Sequence, residues 1–284
     1  MNTAAIHSLV RQALREDRAA QDITTLSLIP ARQFASARII YRQEGTVCGH
    51  RLAREIFRKL DPGVRYKALI KDGEEAAKGS AVALIRAKTR AVLSGERTAL
   101  NFFGRLGGIA TQTRRFVNAV SGTGCAILDT RKTTPTLRDL ERYAVRCGGG
   151  QNHRFDLQEM VMIKDNHRTA CRPEVDIAGA IRIVRAKTRR RIVAEVEDLE
   201  ELAAALLAAP DIILLDNMRP AMVGQAVAIR NRLNKSIQLE ASGGITLRNV
   251  ARYARAGVDR ISLGALTHSA PSVDVSLELD YDPK

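Results

Sequence analysis

A chain of 284 residues and 31.1 kDa is long enough for one large domain or two modest ones. With 45% hydrophobic and 27% charged residues it is neither a disordered nor a collagen-like chain. Its four cysteines (Cys48, Cys125, Cys147 and Cys171) are widely spaced with no CxxC pair, which excludes a zinc knuckle and a disulfide scaffold and leaves reduced thiols. The net charge of +14 raises nucleic acid as a partner, but the excess is regional, with 22 basic and 9 acidic residues between positions 86 and 191. Aromatic residues are 4% and Trp is absent, so the stacking platforms of a nucleic-acid groove are missing, and an anionic small-molecule pocket explains the local excess. No apolar run reaches the length of a membrane span, and the opening MNTAAIHSLVRQALRED alternates apolar and charged positions instead of forming a signal sequence. The expectation is a cytoplasmic chain with neither a nucleic-acid nor a membrane partner.

In chain order, Ile6, Leu9, Val10, Ala13 and Leu14 recur at helical spacing within residues 3–17. After Pro30 the pattern changes to short strands (ASARIIY and YKALI), a helix near 51–60 and the turn KDGEEAAKG, which together read as a small α/β domain. A helical pattern then runs from about Ser94 through ERTALNFFGRL, with a break expected at Gly107 and Gly108 and hence a domain boundary near residue 108. Beyond it come six apolar strand segments, at 126–129, 160–164, 192–197, 211–216, 237–242 and 259–264, alternating with helices such as 136–147 and 174–189. Six βα repeats without a nucleotide-fold glycine signature favour an incomplete, open α/β barrel. The run Lys187, Arg189, Arg190 and Arg191 closes a helical pattern and reads as a solvated helix end.

Chemistry in α/β barrels gathers where the strands end, because loops and helix N-termini converge there. The strand ends carry Asp129 with Arg131 and Lys132, then Lys164, Glu195 and Glu197, Asp216, Glu240 with Ser242, and Ser262 with Gly264. Strand periodicity puts Glu195 and Glu197 on one face, and likewise Glu240 and Ser242. The stretches DTRKTTP, CGGGQNHRFDL and MIKDNH bring Arg131, Lys132, His153, Arg154 and Lys164 to successive strand ends, a set of cations that predicts a polyanionic ligand. His167 reads as structural. Ser242, Gly243 and Gly244, followed by Thr246 at an expected helix start, together with Ser262 and Gly264, place bare backbone amides where barrel proteins hold a phosphate. Glu195 and Asp216 offer hard oxygen ligands for magnesium, and two carboxylates suit an ion that arrives with its substrate.

At these residues the chain closely resembles the quinolinate phosphoribosyltransferases of NAD biosynthesis. The matching stretches are GERTALN, DTRKTTP, RYAVRCGGGQNHR, IKDNH, EVEDLEEL, ILLDN, EASGGIT and GVDRISLGALTHSA, which span most of the chain from residue 95 onward. The resemblance implies an N-terminal α/β sandwich over residues 1–108, joined by the C-terminal tail 268–284, and an open α/β barrel over 109–267. It implies transfer of phosphoribosyl from phosphoribosyl pyrophosphate to quinolinate, giving nicotinate mononucleotide, carbon dioxide and pyrophosphate, with Mg2+ and no organic cofactor. It implies a homodimer with shared active sites, which could assemble further. Residue by residue, it places Arg131, His153, Arg154 and Lys164 around the pyridine dicarboxylate, with Lys132 near the carboxylates and pyrophosphate. Arg97 enters from the partner subunit, Glu195 and Asp216 face the ribose and magnesium, and the loops of Ser242, Gly243, Gly244 and Gly264 face the 5′-phosphate. One departure is Thr136, where the family often has glycine after the proline.

Two other activities fit the same residues. A molybdenum-transport-associated paralogue shares the architecture, and a Schiff-base aldolase would use Lys164 as a barrel lysine near other cations.

Overall fold

The computed structural model describes residues 3–280 and divides them into two compact units. The first comprises the chain through Arg114, Thr134–Gly149, and the tail from Ser269; the second comprises Arg115–Thr133 and Gly150–His268. The tail residues 281–284 lie outside the described set.

In the first unit an antiparallel sheet is built from β1 (Phe34–Tyr41), β3 (Arg65–Ala68), β5 (Ala81–Lys88) and β12 (Val275–Asp280), in the order β12-β1-β5-β3. The short strands β2 (Gly45–Thr46) and β4 (Glu75–Ala76) pair separately. The tail enters through β12, which runs antiparallel to β1 with Ile39 opposite Leu277. Helix His50–Leu60 buries His50, Leu52, Ala53, Ile56 and Phe57 at helical spacing and ends on Arg58 and Lys59, which suit its C-terminal dipole. Tyr41, Phe57 and Phe103 are fully buried and anchor the core of this unit.

The expected break at Gly107 and Gly108 does not occur, because one helix runs from Thr89 to Ala119. These glycines serve close packing. A Cβ on Gly107 would lie 2.6 Å from the Tyr41 hydroxyl, and one on Gly108 would lie 2.0 Å from the Pro271 carbonyl oxygen. Each glycine costs about 1 kcal/mol of helix propensity, and that cost is offset by contacts no larger residue could make. The contact boundary therefore falls at Arg114, six residues beyond Gly108 and inside the helix. Helix Arg138–Cys147, expected as the first barrel helix, belongs to the first unit.

The second unit is a six-stranded sheet in the order β6-β11-β10-β9-β8-β7, in which every pairing is parallel. Its strands are β6 (Ala126–Leu128), β7 (Val161–Ile163), β8 (Ile192–Val196), β9 (Ile212–Asp216), β10 (Gln238–Ser242) and β11 (Arg260–Ser262). β6 and β7 form the two edges, as an open barrel requires, and Gln151 adds an isolated parallel bridge to Leu128. All five residues of β8 are buried, because helices cover the outer face of a parallel barrel and the packed interior covers the inner one. Asp176 caps helix Ile177–Lys187 by accepting from the Gly179 amide at 2.6 Å, and Asp198 caps Leu199–Ala208 by accepting from Glu200 and Glu201. Helix Ile177–Lys187 stops at Lys187, and Arg189, Arg190 and Arg191 are exposed as expected. Among the described residues no helix is long and apolar enough to cross a membrane, and all four cysteines are free thiols.

Candidate active site

The carboxyl ends of β6–β11 surround a cleft of about 830 Å³ within the second unit. Lining it are Arg131 and Lys132 after β6, His153 and Arg154 before β7, and Lys164 after β7. Glu195 on β8, Asp216 ending β9, Ser242, Gly243 and Gly244 at and after β10, and Ser262 and Gly264 at and after β11 complete the predicted set there. Arg97 is the exception: it is exposed on the long helix of the first unit and is not a lining residue.

The cationic side is held from β6. Asp129 is fully buried at the end of β6; one carboxylate oxygen accepts from the His153 amide at 2.7 Å and the other from the Asn152 side chain at 2.5 Å. The Arg154 guanidinium donates to the Met160 carbonyl at 2.9 Å. Burial, and then the charge of Arg131, pull its pKa below the usual guanidinium range. A guanidinium whose charge is disfavoured by a neighbouring arginine favours an anion beside it. Lys132 is exposed, and its carbonyl accepts from the Thr267 hydroxyl at 2.7 Å, which fixes the loop that carries it.

Opposite lie the carboxylates. Glu195 is buried and accepts from Lys164. Burial pushes the Glu195 carboxyl above its ordinary value of 4.5; Lys164 works against this, and Asp216 on the neighbouring strand adds to it. Asn217, with a left-handed φ of 53°, donates to Asp216 at 2.8 Å through its side chain and to the Ser242 carbonyl at 2.9 Å through its amide. It thereby ties the ends of β9 and β10 together. Glu197 does not join this group: it is exposed beyond β8, and its amide donates to Glu201.

The glycine loops differ from expectation in one respect. Thr246 does not start a helix; the helix begins at Val250, so no helix dipole reaches Gly243 and Gly244. Both glycines have positive φ, 93° and 60°, a backbone shape that turns successive amides toward one side and suits an anion. A Cβ on Gly243 would lie 2.0 Å from the Asn217 side-chain oxygen, and one on Gly264 would lie 2.9 Å from His268 Nε2 and 3.0 Å from Lys132 Cδ. His167 is structural, its Nδ1 accepting from the Lys164 amide at 3.0 Å. Sequence reasoning passed over Asn217 and His268 as lining residues. Both follow a predicted strand end within a few residues, and that proximity was the available signal.

Known proteins resemble the chain over nearly its whole length. Residues 22–106 match the quinolinate phosphoribosyl transferase N-terminal domain and residues 109–278 match its C-terminal domain. The probable nicotinate-nucleotide pyrophosphorylase (carboxylating) of Bacillus subtilis is 40% identical, over 98% of this chain and 95% of its own length. The nicotinate-nucleotide pyrophosphorylase (carboxylating) of Mycobacterium leprae is 39% identical over 97% of both chains. Among solved structures, the nicotinate-nucleotide pyrophosphorylase of Francisella tularensis superposes with a TM-score of 0.91 at 34% identity, covering 99% of this chain and 98% of that one.

Proposed function

The chain belongs to the quinolinate phosphoribosyltransferase family, and from that membership we propose that it joins quinolinate to the phosphoribosyl group of phosphoribosyl pyrophosphate. The products are nicotinate mononucleotide, carbon dioxide and pyrophosphate, in NAD biosynthesis. The observation that carries this reading is the opposition of Arg131, His153, Arg154 and Lys164 to Glu195 and Asp216 in one cleft edged by glycine loops.

Arg131 and Arg154 take the two adjacent carboxylates of quinolinate, which relieves the mutual repulsion of the guanidinium groups. Lys164 joins them on exchanging its contact with Glu195 for the ligand. The loops of Ser242, Gly243, Gly244, Ser262 and Gly264 receive the 5′-phosphate through backbone amides. The pyridine nitrogen attacks C1 of the ribose as the bond to pyrophosphate breaks, and the positive charge developing on the ribose faces Glu195 and Asp216. The ring nitrogen, now cationic, accepts the electron pair left when the neighbouring carboxylate departs as carbon dioxide, and a proton then takes its place on the ring carbon. The chain contributes chiefly alignment and charge balance.

Magnesium fits this site as a substrate-borne ion. Glu195 and Asp216 line the cleft and offer hard oxygens to an ion that arrives with phosphoribosyl pyrophosphate. When bound it supplies neutralisation of the leaving group's charge. Lys132 stands on the pyrophosphate side, and Arg97 completes the quinolinate side from a second subunit of a homodimer. The aldolase reading has little support, since a nucleophilic lysine is kept desolvated and Lys164 is 41% exposed with Glu195 as its partner.

The test is incubation of the purified protein with quinolinate, phosphoribosyl pyrophosphate and magnesium. Nicotinate mononucleotide and carbon dioxide should appear in equal amounts, and absence of both from folded protein overturns the proposal.

A further inference from the structure

β10 carries Glu240 with no exposure to solvent. One carboxylate oxygen lies 3.3 Å from His153 Nε2, and the other 2.9 Å from Arg260 Nε. Glu240 and Arg260 are register partners on adjacent parallel strands, so both side chains leave the same face of the sheet. On the other side, its partner on β9 is the apolar Leu214. A wholly buried carboxylate is costly, and a well-packed apolar residue would serve stability at least as well. Burial, the largest influence on this carboxyl, pushes it toward neutrality; His153, Arg260 and Ser262 more than offset that and hold it below its ordinary 4.5.

His153 makes a second contact. Its Nδ1 accepts from the Arg154 amide at 2.7 Å and so carries no proton, which leaves the ring proton on Nε2, facing Glu240. The loop from Asn152 to Arg154 is therefore held at two points, from below by Asp129 at the end of β6 and through the imidazole by Glu240 on β10.

We propose that Glu240, backed by Arg260, is a positioning residue of the cleft: it fixes the Nε2–H tautomer of His153, and through Nδ1 it sets the backbone that delivers Arg154 to the substrate's carboxylates. The proposal rests on the quinolinate reading only for the identity of that substrate. Arg260 neutralises the buried carboxylate at its other oxygen, away from His153. Replacing Glu240 singly strands Arg260, so the informative variants remove both charges together.

Glu240→Leu with Arg260→Met removes the acceptor, whereas Glu240→Gln with Arg260→Met keeps an acceptor oxygen in the same neutral background. Long-range proton–nitrogen spectra of histidine-labelled, ligand-free protein, with the His153 signals assigned by loss in His153→Asn, report the tautomer directly. The wild type and the Gln variant should show the Nε2–H form, and the Leu variant should lose it. In the Leu variant the KM for quinolinate should rise about tenfold, as for loss of one buried contact to a charged group. The KM for phosphoribosyl pyrophosphate should stay unchanged, and the Gln variant should recover most of the difference. An Nδ1–H tautomer in the wild type overturns the proposal. So does a folded Leu variant with unchanged tautomer and unchanged quinolinate KM, or an equal rise in both KM values. If the Leu variant does not fold, failure of the Gln variant to keep the tautomer overturns it equally. The spectra need no turnover, so failure of the quinolinate assay with the tautomer as stated counts against the substrate alone.

Discussion

At the scale of single residues the cleft is an arrangement of charges that do not balance until a ligand enters. Glu195 shows this through its pH dependence. Its carboxyl is held above 4.5 by burial, with Lys164 opposing and Asp216 adding to the shift. A raised carboxyl is ionised only above its shifted pKa, so turnover that needs the ionised form should fall on acidification while ordinary surface carboxylates are still charged. Asp216→Asn removes a negative neighbour and lowers the Glu195 pKa. The acid limb of kcat should then move to lower pH even as the maximum drops, with quinolinate binding nearly unchanged. An acid limb that stays in place would separate Glu195 from the pH dependence. The cations make the complementary prediction. Arg131 and Arg154 face a substrate with two adjacent carboxylates, and nicotinate, with one, leaves buried charge unpaired at a cost on the order of several kcal/mol. Nicotinate should be a very poor substrate, and phthalate, which lacks the ring nitrogen, should compete without reacting. Arg154→Ala should weaken quinolinate and phthalate together, by about 2–4 kcal/mol each; comparable turnover of nicotinate would mean that the cations serve something else.

At the scale of elements, the loops set the shape of the cleft. Gly243 adopts φ 93° with Asn217 at a distance no Cβ could share, so Gly243→Val must displace the residue that joins the ends of β9 and β10. The KM for phosphoribosyl pyrophosphate should rise at least about tenfold while that for quinolinate changes little; equal effects on both would move the phosphate elsewhere. Thr136 gives a stability prediction. It is a β-branched residue at φ 67°, where an L side chain costs about 1 kcal/mol or more. Thr136→Gly relieves this and restores some freedom to the unfolded chain, for a net gain of about 0.5 kcal/mol, visible as a small rise in the melting midpoint; a fall would show that the threonine side chain is held by favourable contacts. These loops also explain what could be read in advance. The six parallel strands were legible because both of their faces are buried, which leaves plain apolar runs with polar residues gathered at one end. Most of the cleft residues were legible for the same reason, since they stand at or just after such an end, whereas His153 and Arg154 lie in the loop before β7. Unread features depend on partners distant in sequence. Gly107 and Gly108 answer to Tyr41 and Pro271, and Glu240 takes its role from His153 and Arg260, while the tail's place beside β1, more than two hundred residues away, came only from the family resemblance. No local pattern encodes those meetings.

At the scale of the molecule, the question is whether one chain holds a complete site. Every predicted cleft residue except Arg97 lines the cavity of the second unit, and Arg97 stands exposed on a long helix of the first. An exposed arginine on a rigid helix suits delivery of a charge to a second copy of the chain, and twofold assembly would repeat that exchange in both directions. In the proposed homodimer, Arg97→Ala and Lys132→Ala should each abolish activity alone, because both sites would then lack one required cation. Mixed and allowed to reassort, the two variants form dimers in which one site has lost both residues and the other retains both. Random assortment should restore about a quarter of wild-type turnover per subunit, since half of the dimers are mixed and half of their sites are intact. Exchange should be followed over time with equal amounts of each variant, and the recovered activity should depend on their ratio with a maximum at equality. Recovery that never exceeds either variant alone, or a fully active monomer in sedimentation, would place Arg97 outside the site and leave the cleft of the second unit sufficient by itself.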